Sequence, residues 1–300
     1  MSILVTGGAG FIGSHIVNNF IENGYQVVVA DNLNSGNKIN LNSNAKFYNI
    51  DIKSSDLEKI FIENKIEYVA HYAAQASVAA SMRNPLEDIN ENVVGTINLL
   101  NLCKKFGIKK IMVASTAAVY GMPEYLPVDE EHSTNYLSFY GLSKLTMENY
   151  VKLFGVDYII FRFSNVYGPH QNAEGEAGVI SIFLNKILSN KPVEIHGGGD
   201  QTRDFIYVED VAIANILAVK SNVKNEIINI SSNSQVSINE LFDILKEITG
   251  YNTEISHTPA RNGDIRDSML DNRKAQKLLD WKNNIELREG LKQTTNFLKI

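Results

Sequence analysis

A glycine-rich turn near the N-terminus constrains the fold more than any other feature of this sequence. The apolar run Ser2 to Thr6 stops at Gly7-Gly8-Ala9-Gly10-Phe11-Ile12-Gly13, and the segment Ser14 to Glu22 that follows reads as a helix. Glycine permits a tight turn, lets the backbone approach a pyrophosphate without a Cβ, and allows the helix to pack closely on the strand. This order therefore predicts a dinucleotide-binding unit, although the Gly-x-x-Gly-x-x-Gly spacing is one residue longer at its start than the usual fingerprint.

An acidic residue closes the second predicted strand. The run Tyr25 to Ala30 ends at Asp31. A carboxylate at this position accepts hydrogen bonds from a ribose 2′-hydroxyl and repels a 2′-phosphate, so it favours NAD over NADP as the cofactor. The alternative for Asp31 is a cap on a turn or a helix.

Further apolar runs alternate with helical segments along the chain. Strands are predicted at Lys46 to Ile50, Tyr68 to His71, Lys110 to Ala114 and Asp157 to Phe163. Strands that alternate with helices predict an α/β fold with a doubly wound parallel sheet of the Rossmann type, whose ligands bind at the carboxyl ends of the strands.

Length and composition set the outer limits. The 300 residues suggest a cofactor-binding domain over 1–170 and a smaller C-terminal α/β substrate-binding domain over 171–300. This boundary is expected to be interleaved, because 204–219 can return to the first domain. The net charge of −6 argues against a nucleic-acid or membrane partner. A lone cysteine, Cys103, and scattered histidines predict no disulfide and no metal site. No apolar run reaches the length of a membrane span, so we expect a soluble cytoplasmic protein.

One pair of residues points to chemistry. Tyr140 and Lys144 are four residues apart, and residues at this spacing share one face of a helix. A nearby ammonium favours the phenolate, which makes Tyr140 a candidate proton-transfer group near neutral pH. Such a short pattern is common by chance, so its value depends on the motifs that accompany it.

The accompanying motifs identify a family. The sequence resembles the extended short-chain dehydrogenase/reductase family and, within it, the UDP-glucose 4-epimerase group. The resemblance spans nearly the whole chain. It rests on the turn Thr6 to Gly13, His71-Tyr72-Ala73-Ala74, Asn92-Val93-Val94-Gly95-Thr96, Ser115-Thr116-Ala117-Ala118-Val119-Tyr120-Gly121, Tyr140 to Lys144, Arg162 to Pro169, Arg203 to Val208 and Arg261-Asn262-Gly263-Asp264.

The resemblance implies a catalytic trio of Thr116, Tyr140 and Lys144. Thr116 would relay a proton between the sugar and Tyr140, and Lys144 would hold the phenolate and bind the nicotinamide ribose. Without Tyr140 downstream, a hydroxyl that caps a backbone group would be the default interpretation of Thr116. The implied NAD contacts are Gly7, Gly10, Phe11, Ile12, Gly13, Asp31, Asn32, Asp51, Ile52, Ala73, Ala74, Asn92, Tyr140 and Lys144. For Asn92, the alternative is a helix-surface amide.

The C-terminal third is expected to hold the nucleotide of a UDP-sugar substrate. The family pattern assigns substrate contacts to Thr116, Asn165, Arg203, Arg261, Asp264 and Ser268. A guanidinium suits phosphate oxygens, although Arg203 followed by Asp204 is also consistent with a simple ion pair. At the position of Ser268 the family separates plain hexoses from N-acetylated ones by size, and serine is small. The alternative is an ordinary loop serine.

Two alanines narrow the reaction. Related dehydratases and decarboxylases carry acidic residues after the catalytic hydroxyl, where this chain has Ala117 and Ala118. Methyl groups cannot protonate a leaving hydroxyl, so elimination is disfavoured. The resemblance therefore implies an NAD-dependent 4-epimerase of UDP-hexoses, which extends to N-acetylhexosamines if Ser268 leaves room. A UDP-glucuronate 4-epimerase, another nucleotide-sugar reductase or dehydratase, and a non-catalytic NAD-sensing protein are the alternatives, the last being the weakest.

Two helical stretches suggest an assembly. Leu86 to Phe106 and Ser138 to Phe154 carry apolar residues on more than one face. Buried packing within one chain would explain this pattern. In the family the corresponding helices form a dimer interface, so the resemblance implies a homodimer.

Overall fold

The computed structural model describes residues 1–172, 178–252, 255–260 and 265–299. The strands are β1 (Ser2–Thr6), β2 (Gln26–Asp31), β3 (Lys46–Asn49), β4 (Ile66–His71), β5 (Lys110–Thr116), β6 (Tyr158–Phe163), β7 (Asn165–Tyr167), β8 (Val193–His196), β9 (Thr202–Arg203), β10 (Phe205–Tyr207), β11 (Glu226–Ile230), β12 (Val236–Ser237) and β13 (Ile255–Thr258). The helices are α1 (Phe11–Glu22), α2 (Leu57–Glu63), α3 (Val78–Arg83), α4 (Pro85–Ile89), α5 (Gly95–Lys105), α6 (Phe139–Leu153), α7 (Val179–Leu188), α8 (Val208–Lys220), α9 (Ile238–Thr249), α10 (Arg273–Leu279) and α11 (Leu287–Leu298).

A seven-stranded sheet forms the centre of the molecule. Its strand order is β11-β6-β5-β4-β1-β2-β3, and every neighbouring pair is parallel. The chain reverses its direction of travel across the sheet between β1 and β4, and ligands bind in the crevice at such a switch point. The predicted doubly wound α/β fold of the Rossmann type is confirmed.

Both faces of this sheet are covered, and the strand pattern explains why. Side chains of a strand point to alternate faces, so Ile3 and Val5 pack with α1 and α8 on one face. Leu4 packs on the other face with apolar side chains of α2, α5 and α6. Burial on both faces accounts for the nearly continuous apolar runs that predicted these strands.

The C-terminal part of the chain contributes to two regions. A separate apolar cluster joins α7, α9 and α11 with β8 and β10. By contrast, α8 packs on α1, and β11 pairs with β6 at the edge of the central sheet. The division of the chain at residue 170 stays a prediction. Among the described residues, no helix combines the length and the apolar character that a membrane span requires.

The predicted helix Leu86 to Phe106 contains a change of helix type. Helix α4 ends at Ile89, the turn Asn90–Val94 is π-helical, and α5 begins at Gly95. A π turn holds one extra residue, and such turns occur frequently at functional sites.

Candidate active site

A cavity lies along the carboxyl ends of the parallel strands. It has a volume of about 390 Å³ and extends from the glycine turn to α6. Of the predicted site residues, those that line it are Gly7, Gly10, Phe11, Ile12, Gly13, Asp31, Asn32, Ile52, Ala73, Ala74, Thr116, Tyr140 and Lys144. Those that do not line it are Asp51, Asn92, Asn165, Arg203 and Ser268. Arg261 and Asp264 lie outside the described residues.

The glycine turn brings three backbone segments into close contact. Gly7 has a φ of +71°, and a Cβ there would lie 2.5 Å from the amide nitrogen of Ala73. A Cβ on Gly13 would overlap the carbonyl of Gly7. Helix α1 therefore begins directly beside β1, and its N-cap, Gly10, makes no side-chain capping bond. The first amides of α1 face the cavity end where a pyrophosphate would be bound.

Asp31 combines both of the roles considered from the sequence. Its side chain is 7% exposed, with Oδ2 accepting from the amide of Ala9 at 2.9 Å and Oδ1 accepting from the amide of Leu33 at 2.8 Å. These bonds are those of a turn cap. A carboxylate has about four acceptor sites, so it can also accept from a ribose hydroxyl in the cavity that it lines. Behind it, Asn32 donates to Asp51 at 3.0 Å.

A buried histidine fixes the chain beside the turn. Thr96 donates its hydroxyl to Asn92 O, so Nε2–H of His71 donates to Thr96 Oγ1 at 2.9 Å. Nδ1 then accepts from the Thr6 hydroxyl at 2.7 Å. Burial, followed by the charge of Lys144, lowers the pKa of His71 to about 3, so this ring is neutral near pH 7.

The three predicted catalytic residues all line this cavity. Tyr140 and Lys144 are on α6, whose N-cap Ser138 accepts from the amide of Gly141. Ser81 on α3 accepts from the amide of Tyr140 at 3.1 Å, and Lys144 Nζ donates to Ala114 O at 2.9 Å. Thr116, the last residue of β5, accepts from the amide of Ala118 at 3.1 Å. This is the capping contact considered as the alternative, and it leaves the hydroxyl proton available to donate.

Comparisons with known proteins agree with this geometry. Residues 3–231 match the NAD dependent epimerase/dehydratase family. The chain belongs to this family. It is 51% identical over 302 residues to a putative UDP-glucose 4-epimerase of Methanocaldococcus jannaschii, with 99% of this chain and 98% of that one covered.

Solved structures of family members have the same fold. The UDP-glucose 4-epimerase of Thermotoga maritima, solved with UDP-glucose, has a TM-score of 0.97 at 45% identity, covering 100% of this chain and 99% of that one. A UDP-N-acetylglucosamine 4-epimerase of Methanobrevibacter ruminantium, in complex with UDP-N-acetylmuramic acid, has a TM-score of 0.94 at 35% identity, with coverage of 99% and 98%. The predicted membership of the extended short-chain dehydrogenase/reductase family is confirmed. The predictions that the protein is an enzyme and that its cofactor is NAD are confirmed as well. The glycine turn and Asp31 fit that cofactor.

Asn92 does not line the cavity but bonds to a segment that does. It is only 1% exposed, so the alternative of a surface amide is wrong. Within the π turn, its side chain accepts from the amide of Gln75 at 2.9 Å and donates to the carbonyl of Gln75 at 3.0 Å. It also donates to Ser143 Oγ at 3.0 Å. Asn92 therefore holds the Gln75 segment, which lines the cavity, against α6.

Asp204, next in sequence to the predicted substrate contact Arg203, joins several segments. It is fully buried and accepts from the hydroxyls of Ser164 and Ser232 and from the amides of Ser232 and Leu270. Burial raises its pKa to about 6, although these bonds act in the opposite direction. Leu270 lies two residues beyond Ser268, which is half-buried, and Ser164 lines the cavity.

Two other predicted substrate contacts, Asn165 and Arg203, are close to Asp204. Exposed Asn165 donates its side-chain amide to the carbonyl of Asp204 at 3.2 Å. Arg203 donates to the carbonyl of Thr202 at 2.8 Å. Among the described residues, no cluster of His, Cys, Asp and Glu is arranged to hold a metal ion.

Sequence analysis missed two parts of the site. Gln75, Ala76 and Ser77 line the cavity directly after the predicted Ala73-Ala74 segment, so adjacency was the available signal. It also missed Glu148, which is buried on α6 and paired with Arg162. Its spacing of four residues from Lys144 was the signal.

Proposed function

We propose that the protein interconverts UDP-hexoses that differ at sugar carbon 4, such as UDP-glucose and UDP-galactose. The observation that carries the proposal is that Thr116, Tyr140 and Lys144 line the same cavity as the glycine turn. The similarity of the protein to UDP-glucose 4-epimerases over nearly its whole length supports the same activity.

In the proposed mechanism, different groups transfer the proton and the hydride. NAD, held by the glycine turn and Asp31, would supply the hydride chemistry at carbon 4. The phenolate of Tyr140 takes the proton of the 4-hydroxyl, directly or through Thr116, and later returns it to the oxygen of the 4-keto sugar. Lys144 stabilises the phenolate by its positive charge. Epimerisation follows if the keto sugar turns about its diphosphate linkage before the hydride returns.

The surroundings of Thr116 disfavour elimination. Ala117 and Ala118 follow it in a 3-10 turn, and neither can act as an acid. Three carboxylates line the cavity elsewhere. Asp31 is held by backbone amides, while Glu87 accepts from Asn84 and Glu91 pairs with Lys53. Their existing partners leave Tyr140 and Thr116 as the proposed proton-transfer groups.

We further propose that Asn165, Arg203, Arg261, Asp264 and Ser268 bind the nucleotide-sugar, and that Asp51 and Asn92 act on the NAD side. The guanidinium groups suit the diphosphate, which lets the sugar turn while the nucleotide stays bound. Ser268 is linked through Leu270 and Asp204 to Ser164 in the cavity wall.

The decisive experiment supplies UDP-galactose to the purified protein without added reductant. We expect UDP-glucose to form with no net change in NADH absorbance, and Tyr140→Phe to lower turnover by about 100-fold or more. Absence of product from UDP-glucose, UDP-galactose, UDP-N-acetylglucosamine and UDP-glucuronate would overturn the proposal. Stoichiometric use of NADH would indicate a reductase.

A second assay tests the role of Ser268. We expect Ser268→Tyr to reduce turnover of UDP-N-acetylglucosamine by about tenfold or more relative to UDP-glucose, because the phenol ring would fill space that an N-acetyl group requires. Ser268→Ala is the matched control and should leave the ratio of the two rates unchanged. An equal loss for both sugars in Ser268→Tyr would contradict the size argument.

A further inference from the structure

Glu148 and Arg162 form an ion pair in the interior of the molecule. Glu148 is 0% exposed and Arg162 is 3% exposed. Arg162 Nε donates to Glu148 Oε1 at 2.9 Å, and its NH2 group donates to Oε2 at 2.6 Å. The guanidinium also lies over the ring of Tyr120, 4.7 Å from its centroid. A buried charge costs free energy unless it is paired, and here each charge compensates the other.

Glu148 of this pair lies one helical turn from the proposed catalytic lysine. Tyr140, Lys144 and Glu148 follow one another at intervals of four residues and therefore share one face of α6. Lys144 Nζ donates to Ala114 O, and Glu148 Oε1 accepts from Ser115 Oγ at 2.6 Å. Ala114 and Ser115 are consecutive residues of β5, whose Cα atoms lie about 3.8 Å apart. Adjacent residues of β5 therefore hold the carboxylate and the ammonium.

The low polarity of the interior makes this proximity important. Charges act more strongly on one another in a protein interior than in water. Without a guanidinium beside it, Glu148 would attract Lys144 and compete with the Tyr140 phenolate. We propose that Arg162 is a positioning residue that neutralises Glu148, so that this carboxylate does not draw Lys144 away from Tyr140. The proposal rests on the function proposed above for Lys144.

Other charged and titratable groups also surround this part of α6. They are His71 at the end of β4, Arg83 on α3, Glu87 and Asp88 on α4, Glu91 in the π turn and Tyr158 on β6. His71 senses the charge of Lys144, which further lowers the pKa of that imidazole. All of these groups stay the same when only Glu148 and Arg162 are changed, so a comparison of variants isolates the pair.

Four variants with opposite charge consequences test the proposal. Arg162→Met leaves a carboxylate alone beside Lys144, so the pKa of Tyr140 should rise by about 1 unit. Glu148→Gln keeps an acceptor oxygen and leaves a guanidinium alone, so this pKa should fall by about 1 unit. The double variant, with Arg162→Met and Glu148→Gln, removes both charges and should return the pKa of Tyr140 to its native value. Arg162→Lys keeps the positive charge, so the pKa of Tyr140 in this variant should stay close to the native value.

The readout is phenolate absorbance during a pH titration of the purified protein. Each titration is corrected by the same variant carrying Tyr140→Phe, because the chain has 13 tyrosines. Tyr120→Phe is the matched control. It removes the bond from Tyr120 to Asn229 within the same buried network without changing a charge, and should leave the pKa of Tyr140 unshifted.

The outcomes separate this proposal from a structural role and from the proposed reaction. Shifts of the same sign in both single variants, or a double variant that stays shifted, would overturn it. If Arg162→Met does not fold, Glu148→Gln and the double variant still give the test, because one should shift and the other should not. Failure of the wild-type protein to convert any UDP-sugar would overturn the proposed function but leave the absorbance result interpretable.

Discussion

Gly7 and Gly24 have similar backbone conformations in different surroundings. Their φ angles are +71° and +80°. A Cβ on Gly7 would lie 2.5 Å from Ala73 N, whereas one on Gly24 would have no neighbour within 4 Å. Alanine at either position would cost about 1–2 kcal/mol of conformational free energy, because both positions have left-handed backbone conformations. Only Gly7 adds a steric clash at the cofactor turn.

The pair predicts separable effects on stability and on NAD binding. Gly24→Ala should lower the free energy of unfolding by about 1 kcal/mol and keep NAD affinity unchanged. Gly7→Ala should lower it further and weaken NAD binding by about tenfold or more, because the Tyr72–Ala73 segment must move. Urea unfolding and calorimetric titration with NAD measure the two quantities. Equal NAD affinity in both variants would show that the turn tolerates a Cβ.

Residue roles were predictable where a local motif sets them. The family motifs implied Thr116, Tyr140 and Lys144, and all three line the cavity, while their catalytic roles stay a prediction. Asn92 was matched as a cofactor contact, yet it bonds to Gln75 and Ser143 and does not line the cavity. Its contacts join segments far apart in sequence, and no local pattern records them.

At the scale of elements, Asp204 connects four segments that approach the substrate side. Its carboxylate accepts from residues that follow β6 and β11 and from Leu270, while its own position lies between β9 and β10. Burial raises the pKa of this carboxyl from its ordinary 3.8 to about 6. Between these two pH values the folded state binds more protons than the unfolded state, so this group's contribution to stability falls as pH rises.

Asp204→Asn should remove that pH dependence. The free energy of unfolding of the native protein, minus that of Asp204→Asn, should fall by about 3 kcal/mol between pH 3.5 and pH 7. The variant also loses an acceptor for Leu270 N–H, but that loss lowers its stability at every pH. Denaturant unfolding across this range provides the measurement, and subtraction cancels the other titrating groups. A constant difference would mean that Asp204 ionises normally in the fold.

Elements were predicted more accurately in the first half of the chain than in the second. Strands β1 to β6 follow apolar runs whose ends are marked by glycine or by polar residues, so their bounds were close to those observed. The pairing of β11 with β6 is non-local and follows the return of the chain through α8. The π turn depends on the tertiary bonds of Asn92, which helical periodicity does not reveal.

At the scale of the whole molecule, one surface remains strongly apolar. Helices α4 and α6 pack side by side. The surface formed by them and the π turn exposes large apolar side chains, which are Leu86, Ile89, Val94, Leu142, Tyr150 and Leu153. Leu86 is 68% exposed and Leu153 is 84% exposed. An exposed apolar patch of this kind marks an interaction site.

We propose that a second copy of the chain covers this surface. Two helices from each copy can pack around a two-fold axis, which buries the same patch on both subunits. Helix α6 also carries Tyr140 and Lys144, so its support would come from the partner on one side and the sheet on the other. The homodimer expected from the sequence is therefore a proposal with a defined interface.

Single charge substitutions test the interface. Because a two-fold axis places each residue in the interface twice, Leu86→Glu and Leu153→Glu each bury two carboxylates and should convert the dimer to monomers. Ile39→Glu is the matched control. Ile39 is 85% exposed and lies between β2 and β3, outside α4, the π turn and α6. Sedimentation velocity measures the oligomeric state. Dimers that persist in both interface variants, or a monomeric wild-type protein, would contradict the proposal.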